Sequence, residues 1–191
     1  MELEGNQLLP IIKYMVKKCS SDVYTNKALT YRKLQPLLYY TNAFYYALYL
    51  DEKFQSPLFY APFEAWSSGP CLSTLYHIFY TFEKEEFIKN YSKLHFSKEV
   101  NLNEFEFNGD IPFFLKDDIK AQPLIPELKC LVDDVLQHYG QFTGEQLEFL
   151  VQQEEPWIET RNGLYNIATC IRIIPTDLIK YHYMTMNKVS D

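Results

Sequence analysis

Thr30-Tyr-Arg-Lys-Leu-Gln-Pro-Leu-Leu-Tyr-Tyr-Thr-Asn-Ala-Phe-Tyr-Tyr-Ala-Leu-Tyr49 decides the fold class. Leu34, Leu37, Leu38, Tyr45 and Leu48 recur at i, i+3 and i+4 steps, which is the period of a helix, and Thr30 can cap its start. The opposite side carries Tyr39, Tyr40, Phe44 and Tyr46, so the helix is apolar on most sides. Such a helix belongs at the centre of a bundle, with its ring hydroxyls reaching polar partners at the margins. Pro36 is the awkward residue, because it removes one helical hydrogen bond. Either Thr30 to Gln35 is a loose 3-10 entry, or the helix is kinked at Pro36.

Working outward, Leu8 to Val16 has helical spacing with Pro10 near the first turn, giving a first helix to about Cys19. Pro57-Leu-Phe-Tyr-Ala-Pro-Phe-Glu-Ala-Trp66 is too rich in proline for a helix and reads as extended chain or a short ribbon. Pro70 is expected to open a third helix bearing Leu72, Leu75, Tyr76, Phe79 and Phe82. Pro126 opens a fourth through Leu136, with Gly140 as a left-handed cap. Thr143 with Gln146 is a capping-box signature for a fifth helix to about Gln153. Ile174 to Tyr181 gives the last, with Asp177 in its first turn. The expectation is a mainly α, compact single domain over 1–191, with about six helices, an extended or β-ribbon segment near 57–66 and a poorly legible insertion at about 89–122.

A chain of 191 residues with 47% hydrophobic and 23% charged residues buries a core of its own, which excludes a disordered or disulfide-stapled peptide. The net charge of -7 argues against nucleic acid and anionic membrane as partners. That charge is uneven: residues 1–50 carry Lys13, Lys17, Lys18, Lys27, Arg32 and Lys33 against three carboxylates, whereas 99–161 carry fourteen carboxylates against four cations. Cys19, Cys71, Cys130 and Cys170 lie far apart, with no zinc or redox spacing. With no secretory signal at the start, they read as reduced thiols of a cytoplasmic protein. Leu37 to Leu50 is shorter than the roughly 20 residues of a membrane span.

No arrangement of catalytic or ligating residues stands out, so no catalytic residue, metal or cofactor is expected. Asp134 and His138 share a helix face, but two ligands do not make a metal site. Cys71 and His77 fall on different helix faces, unsuited to a nucleophile pair. The acid pairs Asp117-Asp118, Asp133-Asp134 and Glu154-Glu155 read as solvated faces.

Three segments are more specified than packing requires: Leu34 to Tyr40, Phe63-Glu-Ala-Trp-Ser-Ser-Gly-Pro70, and Glu154-Glu-Pro-Trp157 with Arg161. Their order and spacing, together with His138-Tyr-Gly140, Leu150 to Trp157 and Ile174 to Tyr183, resemble the SocA-like antitoxin, or Panacea, family, formerly catalogued as phage-associated. The chain resembles a divergent member: Pro36 stands where that family has Lys, Cys71 where Val is usual, and Leu150-Val-Gln152 replaces Leu-Thr-His. The resemblance implies a binding protein and not an enzyme, an antitoxin that neutralises a cognate toxin by direct contact. In one branch of the family the domain also delivers its toxin to a Clp-type protease. The family-motif positions, structural or partner-binding, are Gln35, Tyr39, Glu64, Trp66, Gly69, Pro70, Tyr76, Pro156, Trp157 and Arg161.

These residues have physical readings of their own. Gly69 supplies a backbone geometry closed to other residues, and Pro70 fixes a helix start. Trp66 and Trp157 read as core, and Trp157 stacks with Arg161 one helical turn on. Glu64, hemmed in by apolar residues, needs a cation if buried, and Arg161 is the candidate. The alternatives are a phage or mobile-element accessory protein that binds a partner other than a toxin, and a small-molecule enzyme with an aromatic pocket near Tyr39, Trp66 and Trp157. Nucleic-acid binding through the Lys13 to Lys33 patch is the weakest reading.

Overall fold

The structure, a computed structural model, describes residues 7–20, 29–49, 57–77 and 123–188. The chain is mainly helical: α1 (Leu8–Ser20), α2 (Tyr31–Leu48), α3 (Pro126–Tyr139), α4 (Gly144–Val151), α5 (Glu155–Thr160) and α6 (Thr176–Lys188), with residues 73–77 also helical. A two-stranded antiparallel ribbon, β1 (Glu64–Trp66) and β2 (Gly69–Cys71), interrupts them. The insertion expected at about 89–122 and the far half of the third helix lie outside the described residues.

Central burial of α2 explains its aromatic composition. It packs against α3, α4, α6 and β2, and from Tyr31 to Tyr46 only Arg32 and Phe44 are not buried. Thr30 caps it, its hydroxyl accepting the Lys33 amide at 3.1 Å. The helix runs unbroken from Tyr31 through Pro36, so the 3-10 entry is corrected. An interior proline costs about 3 kcal/mol in isolation. Here burial on several sides offsets that cost, as tertiary packing overrides local propensity. Lys33, 1% exposed, donates from Nζ to the Gly140 carbonyl. The cation thereby meets the negative end of α3.

That lysine also bears on a second correction. Gly140 is not a left-handed cap but right-handed, with φ -63°. Its amide continues the helical pattern to Leu136 and its carbonyl is taken by Lys33, so no backbone reversal is needed to satisfy the helix end. The capping box of α4 is present as read, Thr143 and Gln146 bonding reciprocally. Arg32 reaches from α2 to Glu148 and Glu145 of α4, at 2.7 Å each. Asp133 of α3 receives Lys18 at 2.9 Å and the Tyr14 hydroxyl at 3.0 Å, holding α1 in place.

The ribbon holds the third correction. Pro70 does not start a helix; it lies inside β2, paired with Ala65, and the helical residues begin at 73. The position tolerates proline because Ala65 turns its own N–H and C=O away from β2, to Arg172 and Arg161. Ala65 and Pro70 are therefore a non-hydrogen-bonded pair, and no ladder donor is lost. Gly69 follows the Ser67-Ser68 turn with φ +118°, a conformation that side-chain-bearing residues rarely adopt. A Cβ there would also lie 2.9 Å from Cγ2 of Val151 at the end of α4.

These two constraints on Gly69 can be separated. Gly163 has φ +80° but open space around its Cα. Gly163→Ala is expected to cost about 1 kcal/mol, the strain alone. Gly69→Ala should cost at least about 1 kcal/mol more, because α4 must also shift. Urea unfolding of the two variants checks the difference, and equal losses would show that the contact with Val151 relaxes freely.

Candidate functional site

The motif segments meet around the ribbon. Gln35 projects from α2 as a surrogate strand: its Oε1 accepts the Leu72 amide at 2.9 Å and its Nε2 donates to the Tyr31 hydroxyl at 2.5 Å. Three side chains from the α4–α5 region take consecutive backbone carbonyls on the other side. Arg161 Nη1 donates to Ala65 O at 2.7 Å, Trp157 Nε1 to Trp66 O at 2.9 Å, and Gln152 Nε2 to Ser67 O at 2.9 Å. Pro156 is buried in the first turn of α5, where its missing N–H costs nothing, and it sets the direction of that short helix.

Arg161 is the hub. It is 3% exposed, stacks on the Trp157 ring at 4.8 Å as expected from the i, i+4 spacing, and its Nη2 donates to the carbonyls of Tyr165, Asn166 and Ala168. The expected pairing with Glu64 is corrected. Both Glu64 oxygens are engaged elsewhere, by Trp66 Nε1 and Ser73 Oγ at 2.7 Å each. Carbonyl dipoles, and not a carboxylate, surround the buried guanidinium. Trp66 is half-buried and packs edge-on against Tyr76 at 4.9 Å. Glu64 thus fixes the Trp66 ring and the 73–77 helical turn at one point.

A second cluster was not anticipated. Glu154, read from sequence as part of a solvated acid pair, turns inward from the residue preceding α5, and its Oε2 accepts the Tyr183 hydroxyl of α6 at 2.8 Å. Tyr39 and Tyr40 of α2 face the same carboxyl, the fully buried Tyr39 hydroxyl without closing a hydrogen bond of its own. Burial pushes the Glu154 carboxyl up to about 7, against the lowering effect of the tyrosine hydroxyls. Next to it His182 Nδ1 lies 3.5 Å from Glu155 Oε2. The available signal was the run Tyr39-Tyr40 in a buried helix, whose hydroxyls needed a polar partner.

Other candidate residues fall apart in space. Cys71 is buried in β2, where burial pushes its thiol up to about 12, and His77 is exposed on the following turn. His138 is exposed, with Nδ1 2.8 Å from the Asp134 carbonyl of its own helix. Among the described residues no group of three or more His, Cys, Asp or Glu side chains could hold a metal, and no described helix is long and apolar enough to cross a membrane. Of the three aromatics of the small-molecule alternative, Trp157 borders a surface groove of about 820 Å³, also lined by Gln152, Gln153, Glu159 and Asn162. Tyr39 is enclosed in the core and Trp66 packs on Tyr76.

The family model for the antitoxin SocA-like, Panacea domain matches residues 34–158. The chain belongs to that family. The match begins on α2, includes the ribbon and ends on α5, so the Panacea segment contains the ribbon and most of the side chains that hold it; Arg161 lies three residues beyond. Membership supports an antitoxin-type role in general terms. No curated protein and no solved structure matches the chain.

Two predictions follow from the geometry. Lysine cannot span Ala65 and three further carbonyls at once, so Arg161→Lys is expected to cost about 2 to 4 kcal/mol. Hydrogen exchange in 164–174 should accelerate in that variant, and unchanged exchange would remove Arg161 as the hub. For Glu154 the folded-state pKa stands above the unfolded value, so the folded protein binds more protons between the two. The contribution of Glu154 to stability should be complete below about 4.5 and be lost as pH rises to about 7, by up to about 3 kcal/mol. Glu154→Gln should remove that part of the slope in urea unfolding followed from pH 4 to pH 8.

Proposed function

We propose that this Panacea domain is a cytoplasmic binding protein that neutralises a toxic partner protein by direct contact, without catalysis of its own. The match of the family model over residues 34–158 carries this reading. The placement of the motif side chains supports it. Gln35, Trp157 and Arg161 bond inward to hold the ribbon, which leaves the groove beside α5 and the chain after it as presented surface. Burying aromatic and aliphatic side chains at such a surface is how a binding protein acquires affinity.

The experiment is co-expression with the product of the reading frame next to this gene. Expressed alone, that product should arrest growth; expressed with this chain it should not, and the two should co-purify. Persistent toxicity with both proteins present, or relief without a complex, would overturn neutralisation by contact.

A further inference from the structure

After Arg161 the chain runs as an irregular strap, residues 164–175, before α6 begins. Its last part pairs with the ribbon. Ala65 N–H donates to Arg172 O and Ile174 N–H to Phe63 O, both at 2.8 Å, around the antiparallel bridge of Glu64 with Ile173. The strap therefore lies antiparallel along β1 through a single bridge, its backbone in strand-like register there. Along such a strand alternate residues direct their backbone groups to opposite sides. Arg172 and Ile174 face β1, so Ile171 and Ile173 direct N–H and C=O outward. Those groups have no hydrogen-bond partner among the described residues.

The side chains on this edge are as unusual as its backbone. Ile171 is 73% exposed and Ile173 57%, and earlier in the strap Tyr165 is 86% and Ile167 91% exposed. Natural edge strands are normally blunted by short length, charged side chains, proline or a bulge. This one is short and carries Arg172, with Pro175 just beyond, yet it flanks that charge with two large exposed isoleucines and with backbone groups that have no hydrogen-bond partner among the described residues. We propose that the outer edge of residues 171–173 is a docking edge, on which an extended segment of a partner protein adds a strand, with apolar residues beside Ile171 and Ile173 and a carboxylate opposite Arg172.

Charge selects this occupant over a second copy of the chain. Antiparallel self-pairing of Ile171 with Ile173 across a two-fold axis would set Arg172 directly opposite Arg172, and like charges so placed are destabilising. The net charge of -7 on each copy adds repulsion. Among the described residues Arg172 Nη1 donates to Thr160 O and Asn162 O, at 3.2 Å each, and the residue is exposed. A partner carboxylate can take the remaining guanidinium donors. Main-chain bonds then supply affinity and the alternating side chains supply choice, as in other strand-addition complexes.

This inference rests on the reading of the domain as a toxin-binding protein and names the surface it uses. The test takes the full chain with the same neighbouring gene product. Ile171→Pro and Ile173→Pro each delete one outward donor while leaving the bonds to β1 intact. The double variant Ile171→Lys/Ile173→Lys keeps the backbone and decides the matter if the proline variants fail to fold. Each is expected to weaken the complex at least tenfold, and Arg172→Glu to weaken it as well. The amides of Ile171 and Ile173 should become protected from exchange in the wild-type complex. A complex of undiminished affinity with the double-lysine variant, and with those two amides unprotected, would overturn the docking edge while leaving neutralisation standing. No complex with wild type would overturn both. A wild-type dimer in sedimentation that the double-lysine variant dissolves would reassign the edge to self-pairing.

Discussion

Everything around the ribbon depends on how Arg161 is held. A guanidinium buried without a carboxylate is tolerable when its donors meet well-placed oxygens: Nη1 and Nη2 reach four backbone carbonyls from two separate stretches of chain, and Nε has no partner among the described residues. One of them, Ala65 O, belongs to the central residue of β1, whose N–H is already taken by the strap. Arg161 therefore ties together the ribbon, the end of α5 and the strap. A three-residue hairpin is too short to persist unaided. It persists here because Arg161, Trp157, Gln152 and the strap engage backbone groups of β1 and of the turn.

The same economy governs the inner side. Helix α2 buries five tyrosines, Tyr31, Tyr39, Tyr40, Tyr45 and Tyr46, and each hydroxyl brought out of water needs a partner. Glu154 provides a focus for two of them, Tyr39 and Tyr40, at the cost of a carboxyl whose charged form is disfavoured near neutral pH. Because Tyr183 comes from α6 and Tyr39 and Tyr40 from α2, the protonation of one carboxyl is coupled to how the last helix sits on the central one. Tyr183 also packs edge-on against Tyr39, Tyr40 and Phe44, so one ring of α6 makes both apolar and polar contacts with α2 and the start of α5.

Legibility in the sequence followed the range of the interaction. The Thr30 cap, the Thr143 and Gln146 box, the start of α3 at Pro126 and the stacking of Trp157 on Arg161 depend on residues within a turn of each other, and each was readable. The errors came where a distant group intervenes. Gly140 needed no left-handed turn because a lysine 107 positions away takes its carbonyl. Pro70 read as a helix start because three-residue strands carry no usable alternation, and only the pairing of Ala65 shows that its missing donor is harmless. Charge matching suggested Glu64 for Arg161, whereas the geometry offers carbonyls 96 and four to seven residues away.

The motif residues thus explain more about the scaffold than about its partner. Gln35, Gly69, Trp157 and Arg161 point inward or constrain backbone, so a substitution among them disturbs the ribbon before it disturbs any contact. The strap is the reverse case: it lies past the matched Panacea span, and its isoleucines contribute exposed surface to a folded chain that gains nothing from exposing them. A scaffold shared by a family and a strap anchored to it by Arg161, by Arg172 and by backbone bonds to β1 separate two tasks. The first fixes a strand in space; the second determines which side chains that strand presents. Such a division lets Ile171 and Ile173 change without refolding the domain, since the bonds that hold the strap are made by its backbone and by Arg172, which donates to Thr160 O and Asn162 O.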